Sequence, residues 1–306
     1  MRQTAFIYDE MYLNHNTGEN HPENVNRLKS ILNAIKPIKN NLLIIKPDKA
    51  PVETLELVHS KKHIYMIEEK CKKTEEIDID TQVSKESFDA ALMAVCAGIK
   101  AIELIRENKI KNAFCAVRPP GHHANRNKSM GFCLFNNIAI AARYAQSVGY
   151  SKVIIIDFDA HHGNGTQDIF YEDDTVFYFS THEYLSFPGS GKSNTSGKGL
   201  GKGYTRNFPL KSDTTDEDLI GIYKNNLTEE VKRFQPHIIL VSAGYDLHID
   251  DPLTFLQISD YGIKEIVEII INISNVPKVF MLEGGYNLDV LGKCVYNTLK
   301  IMCTER

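Results

Sequence analysis

The stretch Asp157-Phe158-Asp159-Ala160-His161-His162-Gly163-Asn164 places two carboxylates and two imidazoles directly after an apolar run, Val153-Ile154-Ile155-Ile156. Similar groups follow three other apolar runs. His122 and His123 come after Ala113–Val117, Asp246 after Ile238–Val241, and Glu283 and Tyr286 after Val279–Leu282. Carboxylates delivered by buried strands are expensive unless a cation balances them, so this pattern points to a divalent metal. Side chains alternate along a strand, which would turn Asp157, Asp159 and His161 to one side if the extended backbone persists. Asp159 and His161 can share a metal, and Asp246 can be the third ligand, leaving one position open as in catalytic zinc sites. Two carboxylates and one imidazole suit Zn²⁺, Fe²⁺ or Mn²⁺. A base drawn from His122 and His123 and an oxyanion donor at Tyr286 would complete a kit for amide hydrolysis.

These groups meet only if the chain brings the strand ends together. A continuous Val/Ile run bounded by turn residues reads as a strand buried on both faces, the parallel-sheet kind. Strands are expected at Ala5–Tyr8, Leu42–Ile45, Ala113–Val117, Val153–Ile156, Thr175–Ser180, Ile238–Ser242 and Lys278–Leu282. Helical patterns lie between them: a helix opened by Pro22, then Val52–Lys72, Phe88–Glu107, Asn136–Val148, Asp216–Phe234, Ser259–Ile273 and Leu288–Met302. A polar loop with six glycines runs from Gly189 to Gly203; it has no GxxxxGK[ST] phosphate cradle. The alternation predicts one α/β domain over residues 1–306 with a parallel sheet, in which ligand sites lie at the carboxyl strand ends.

Composition narrows the classes. A net charge of −4 gives no basic field for nucleic acid. No stretch approaches the ~18 apolar residues of a membrane helix, and the N-terminus has no apolar core of a signal peptide. Six cysteines without a CxxC give neither a cysteine zinc finger nor a disulfide framework; they read as thiols in the cytoplasm. His15, His21, His59, His63, His162, His182, His237 and His248 read individually as structural, as does the Glu283 carboxylate, with His21 and Arg27 near the site or its rim. An arginase-like two-Mn²⁺ site would need more bridging carboxylates than the chain offers.

Several short motifs occur together and in order: His21-Pro22-Glu23 with Arg27, Arg118-Pro119-Pro120-Gly121-His122-His123-Ala124, Gly131-Phe132-Cys133, Asp157 through Thr166, and Glu283-Gly284-Gly285-Tyr286-Asn287. Together they resemble the zinc-dependent histone deacetylase / acetylpolyamine amidohydrolase family over nearly the whole chain. Asn164 and Ser242-Ala243-Gly244-Tyr245-Asp246 are similar to its class II branch and bacterial relatives. The resemblance implies the three-layer arginase–deacetylase fold, an eight-stranded parallel sheet with helices on both faces. It implies Asp159, His161 and Asp246 as zinc ligands and His123 as general base, with His122 as its electrostatic partner. Asp157 would hold His122, Asn164 would hold His123, and Tyr286 would be the oxyanion donor. Gly131, Phe132 and Phe187 match its acyl-lysine channel. Structural K⁺ is implied on Asp157, Asp159, His161, Ser180 and Thr181, and at an outer site on Phe170, Asp173, Val176 and Tyr204. Leu253 falls where polyamine-specialised members carry Glu, and a leucine offers no anion to an ammonium. The substrate expected is therefore an acyl-lysine protein or peptide, with small acylated amines as the alternative.

Overall fold

The computed structural model describes residues 3–304. Eight strands form one sheet in the order β2-β1-β3-β8-β7-β4-β5-β6, with every neighbouring pair parallel. They are β1 (Gln3–Ile7), β2 (Leu42–Ile45), β3 (Ile110–Cys115), β4 (Val153–Asp157), β5 (Val176–Glu183), β6 (Thr205–Leu210), β7 (Ile238–Ala243) and β8 (Lys278–Leu282). The four strands whose ends carry the reactive groups are neighbours at the centre, β3-β8-β7-β4. Their register lines up Cys115, Met281, Ser242 and Asp157 in one row. Four chains therefore leave the sheet at the same level, and the residues just beyond that row share one edge.

Helices cover both faces, because β4, β7 and β8 are buried along their whole length and a sheet with two apolar faces needs two covers. One cover is α2 (Lys61–Lys73), α3 (Ser87–Arg106) and α4 (Asn137–Ser147), packed in sequence. The other is α1 (Asn26–Ala34) on α9 (Leu288–Thr304), followed by α8 (Asp260–Asn272) and α6 (Asp216–Gly221). The short α5 (Asn164–Phe170) starts directly after the polar run at the end of β4. Glycine inside α3 serves close packing: a methyl at Gly98 would press on Ala141 of α4 and Met281 of β8.

Several expectations shift: the helix expected to open at Pro22 begins only at Asn26, and the strand expected over Thr175–Ser180 runs on to Glu183. The helix expected over Val52–Lys72 is a 3₁₀ turn (Val52–Leu57) and then α2, separated by Ser60, whose hydroxyl accepts the His63 N–H at 3.3 Å and restarts the helix. The helix expected over Asp216–Phe234 holds a π-helical segment, Ile222–Leu227, between α6 and α7 (Thr228–Phe234). β3 begins and ends earlier than its apolar run, because pairing with β1 and β8 sets its limits. The edge strand β6 carries no apolar run at all; it holds Pro209 and an exposed Arg206. Proline is tolerated there because an edge strand leaves one side of its ladder unpaired.

The interior also holds imidazoles that stay neutral. Burial pushes His59 down to about 3, with His63 adding to it, and pushes His15 and His182 down to about 4. An unfolded histidine takes up its proton near pH 6.5. Below that pH the unfolded chain binds more protons than the fold, so stability falls as pH drops from about 6.5 toward 4. The His59 ring Nε2 accepts the Asn136 N–H at 2.9 Å, a role the Gln amide oxygen can take. His59→Gln is therefore expected to flatten the slope of unfolding free energy against pH in this window by up to about 1.4 kcal/mol per pH unit, one proton's worth. Urea midpoints at pH 6.5 and 5.0 measure it, and an unchanged slope would contradict the assignment.

Candidate active site

β4 stops at Asp157, so strand alternation does not place the next groups as expected. The chain turns instead on its own carboxylates. Asp157 Oδ1 accepts the Asp159 N–H at 3.3 Å, and Asp159 Oδ1 accepts the His161 N–H at 2.8 Å. Asp157 is aimed at His122, whereas Asp159 and His161 meet Asp246 from the end of β7. Ligand atoms of Asp159, His161 and Asp246 lie within 4.8 Å of one another. His161 Nδ1 is 3.2 Å from Asp159 Oδ1 and 2.9 Å from Asp246 Oδ2. Backbone amides fix both carboxylates from behind: Gly284 N–H to Asp159 at 2.7 Å and Ala160 N–H to Asp246 at 2.8 Å.

The donor set fits a divalent metal. Burial and the neighbouring Asp159 push Asp246 up, as two adjacent carboxylates resist ionising together. His161 is raised as well: burial opposes its charge, but hydrogen bonds to Asp159 and Asp246 hold its proton firmly. A divalent cation can take over that balancing role by displacing the proton, which is how such ligand sets bind metal. The cradle is tight. A methyl at Gly244 would collide with the Asp159 carboxylate, and one at Gly284 with that of Asp246.

The two adjacent histidines are driven apart in charge. Burial works against a charged His122, but Asp157, Asp159 and Glu283 outweigh it and hold it up at about 10. Its Nδ1 is 3.1 Å from Asp157 Oδ2, which also accepts the Tyr178 hydroxyl at 2.9 Å. Burial, then the charges of His122 and His161, lower His123 well below the ordinary range. His123 Nδ1 lies 2.9 Å from the Asn164 amide oxygen. That oxygen only accepts, so Nδ1 carries the proton and Nε2 is left free as a base. A charged imidazole beside a neutral one sets a fixed positive neighbour next to a ring that can take up and return a proton.

A cavity of about 250 Å³ reaches these groups. His122, His123, His161 and Tyr286 line it together with Gly131, Phe132, Phe187 and Leu253, so the four expected substrate residues and the reactive groups share one space. Phe187 stands edge-on to His123 with ring centroids 5.1 Å apart, and Phe132 edge-on to Tyr286 at 5.9 Å. Gly131 has φ +56°, and a methyl there would strike both His123 and Phe187. Burial, then Asp246, raises the Tyr286 phenol well above its usual value, so it keeps its proton to donate.

The supports of Tyr286 were not foreseen from sequence. Asp251 Oδ2 accepts the Tyr286 N–H at 2.7 Å, and its other oxygen accepts the Leu253 N–H at 3.0 Å. The Arg27 guanidinium sits 5.1 Å from the Tyr286 ring centroid and donates to the carbonyls of Glu283 and Gly285. Of the two places expected for Arg27, the structure gives the one near the site: it is fully buried, not at the rim. It is bound with Arg118 to the buried Glu23 carboxylate. The Pro-Glu and Arg-Pro-Pro wording marked these residues but not their pairing. Glu283 is structural as expected: it accepts the N–H groups of Gly121 and His122 and the Ser242 hydroxyl. His162 bonds Ser190 and Gln167, away from the cavity.

Comparison with known proteins agrees with this geometry. Residues 21–302 match the histone deacetylase domain. The chain belongs to the histone deacetylase family. It is 35% identical to a probable deacetylase of Archaeoglobus fulgidus, across 98% of this chain and 85% of that one. It is 36% identical to the chloroplastic histone deacetylase 14 of Arabidopsis thaliana, across 96% of this chain and 75% of that one. A crystal structure of the HDA15 HD domain superposes with a TM-score of 0.94 at 31% identity, covering 99% of this chain and 88% of that one. The fold is accordingly the arginase–deacetylase fold, and this histone deacetylase family member is a deacetylase. Zinc dependence is typical of the family, and the buried Asp159, His161 and Asp246 are a group that can hold the metal.

Replacing the neutral Asn164 by a carboxylate would stabilise the charged form of His123. Asn164→Asp is expected to raise the pKa of that imidazole, moving the acidic limb of the pH–rate profile to higher pH by about one unit or more. A limb that stays in place would show that Asn164 does not set the basicity of His123.

Proposed function

We propose that the chain hydrolyses the amide of an acylated lysine side chain in a protein or peptide, as a single deacetylase domain over residues 1–306. The observation that carries this reading is the cavity itself. Its aromatic walls, Phe132 and Phe187, suit an apolar four-carbon stem, and its floor holds a base, an imidazolium and a phenol. Asp159, His161 and Asp246 would hold zinc, with Fe²⁺ a chemical alternative for the same donors. When bound, the metal supplies a Lewis acid that polarises the amide carbonyl and makes an attacking water more acidic.

The chain's own residues do the rest. His123 takes the proton of the attacking water at Nε2, its tautomer fixed by Asn164, and returns it to the leaving amine. His122 keeps its charge beside it, held by Asp157. Tyr286 donates its phenol hydrogen to the oxygen that becomes negative, and Asp251 fixes the backbone from which it does so. Gly131 lets the channel close onto His123, and Leu253 offers the rim an apolar surface. K⁺ at the inner and outer sites belongs to this reading through the resemblance alone. Six unpaired cysteines suit a reducing compartment, and we place the protein in the cytoplasm. No described helix is long and apolar enough to cross a membrane.

One observation favours small acylated amines instead. Asp80 also lines the cavity, and a carboxylate there can meet a second ammonium. One of its two oxygens accepts the Thr81 hydroxyl at 2.9 Å, and the apolar Leu253 shares the rim, so the peptide reading is preferred.

Two experiments test the proposal. Gly284→Ala is expected to displace the Asp159 and Asp246 carboxylates and to abolish stoichiometric zinc binding by elemental analysis while circular dichroism stays native; full zinc content would reject that ligand set. Zinc-loaded protein assayed on acetyl-lysine peptides and acetylspermidine should favour the peptides, with kcat falling ~10²–10³-fold in Tyr286→Phe at unchanged zinc. Faster turnover of acetylspermidine would transfer the function to small amines, and a fully active Tyr286→Phe would remove the phenol from the chemistry.

A further inference from the structure

A second, more open cavity of about 870 Å³ lies beside the channel, and Ser186 lines both. Two short segments build the shared border in the same way. Phe187 and Leu253 face the channel, while Leu185 and Phe255, each two residues away, line the open groove. Leu185 is 81% exposed and Phe255 76% exposed. Both segments are pinned: the Glu183 carboxylate accepts the Phe255 N–H at 2.7 Å, and the Tyr184 N–H donates to the Leu210 carbonyl at 2.7 Å.

Leu185 is unfavourable on two counts. Its φ is +61°, the left-handed region that a leucine rarely adopts, and its large apolar side chain is held in solvent. Glycine or asparagine would relieve both. Nothing within the fold is gained by leucine there, and strained residues of this kind cluster at ligand clamps. The groove also carries Lys211 and Asp213, polar groups suited to the amide backbone of an extended chain.

We infer that Leu185 and Phe255 form a platform for the polypeptide flanking the acylated lysine, selecting substrates with an apolar side chain immediately beside that lysine. The inference rests on the acyl-lysine reading of the channel and adds a choice of sequence context. A free acylpolyamine would leave the platform bare. Continuity with the channel argues for that occupant: a chain that presents a lysine to Phe132 and Phe187 has its backbone at the channel mouth, whose Ser186 also borders the groove.

The test compares zinc-loaded wild type with Leu185→Asn and Phe255→Ser. Asparagine tolerates positive φ, so Leu185→Asn removes the apolar side chain without straining the backbone. Substrates are a capped acetyl-lysine amide and short acetyl-lysine peptides with Leu, Phe, Ser or Asp next to the lysine. An apolar neighbour is expected to raise kcat/KM about tenfold over Ser or Asp in wild type, mostly through KM. Each variant should lose most of that advantage while turning over the capped acetyl-lysine amide as wild type does. Equal kcat/KM for every neighbour, or a preference that survives both variants, would overturn the platform. A wild-type dimer in sedimentation that Leu185→Asn disperses would assign the surface to a second copy and overturn it too. No turnover of the capped acetyl-lysine amide would mean that the reading of the channel has failed, and the platform with it.

Discussion

Buried negative charge at the carboxyl edge of the sheet is the constraint on which the rest of this structure depends. Glu23, Asp157, Asp159, Asp246 and Glu283 are all buried there, and a buried carboxylate must be compensated. Three are answered within the protein. Glu23 has two arginines, Asp157 has His122 and the Tyr178 hydroxyl, and Glu283 has two backbone amides and a serine. Asp159 and Asp246 share His161, and the charged His122 ring also stands 3.9 Å from Asp159. Of these two, Asp159 is held ionised against burial by His122 and His161, whereas burial and Asp159 push Asp246 up, and its partner His161 lines the channel where a substrate would arrive.

The same constraint explains why two neighbouring histidines differ. His122 stands nearer the carboxylates and is kept charged; His123 stands beside that charge and beside a neutral amide, and is kept neutral. Burial and the charges of His122 and His161 lower His123, whereas Asp157, 3.1 Å from the His122 Nδ1, joins Asp159 and Glu283 in holding His122 charged against burial.

Much of this was legible in the sequence because it is carried by local pattern. The apolar runs of β4, β7 and β8 announce buried parallel strands, and the polar groups just after them must share an edge once those strands are neighbours. β6 escaped notice because an edge strand needs no apolar run, and the π-helical segment because its residues still read as helical. The supports escaped for a different reason. Asp251 acts on backbone amides of Tyr286 and Leu253, Glu23 acts on Arg118 from 95 residues away, and Arg27 acts on carbonyls about 250 positions on. Hydrogen bonds to the main chain leave no mark on the residue type of the partner, and long-range pairing leaves none on spacing. The motifs that resemble the deacetylase family named residues that the structure gathers around one cavity, with Asp157 behind His122 and Asn164 behind His123, but not Asp251 or the linkage of Glu23 to Arg27 and Arg118.

Glycines at 163, 244 and 284 stand where any side chain would run into a carboxylate of Asp157, Asp159 or Asp246. The wall behind the site is therefore backbone, and backbone cannot be redecorated. Variation that keeps the chemistry has to accumulate at the mouth, among side chains such as Leu185, Leu253 and Phe255 that face solvent. The molecule is divided into a floor closed to mutation and a rim open to it, and new selectivity, whether natural or engineered, has to be written in the rim.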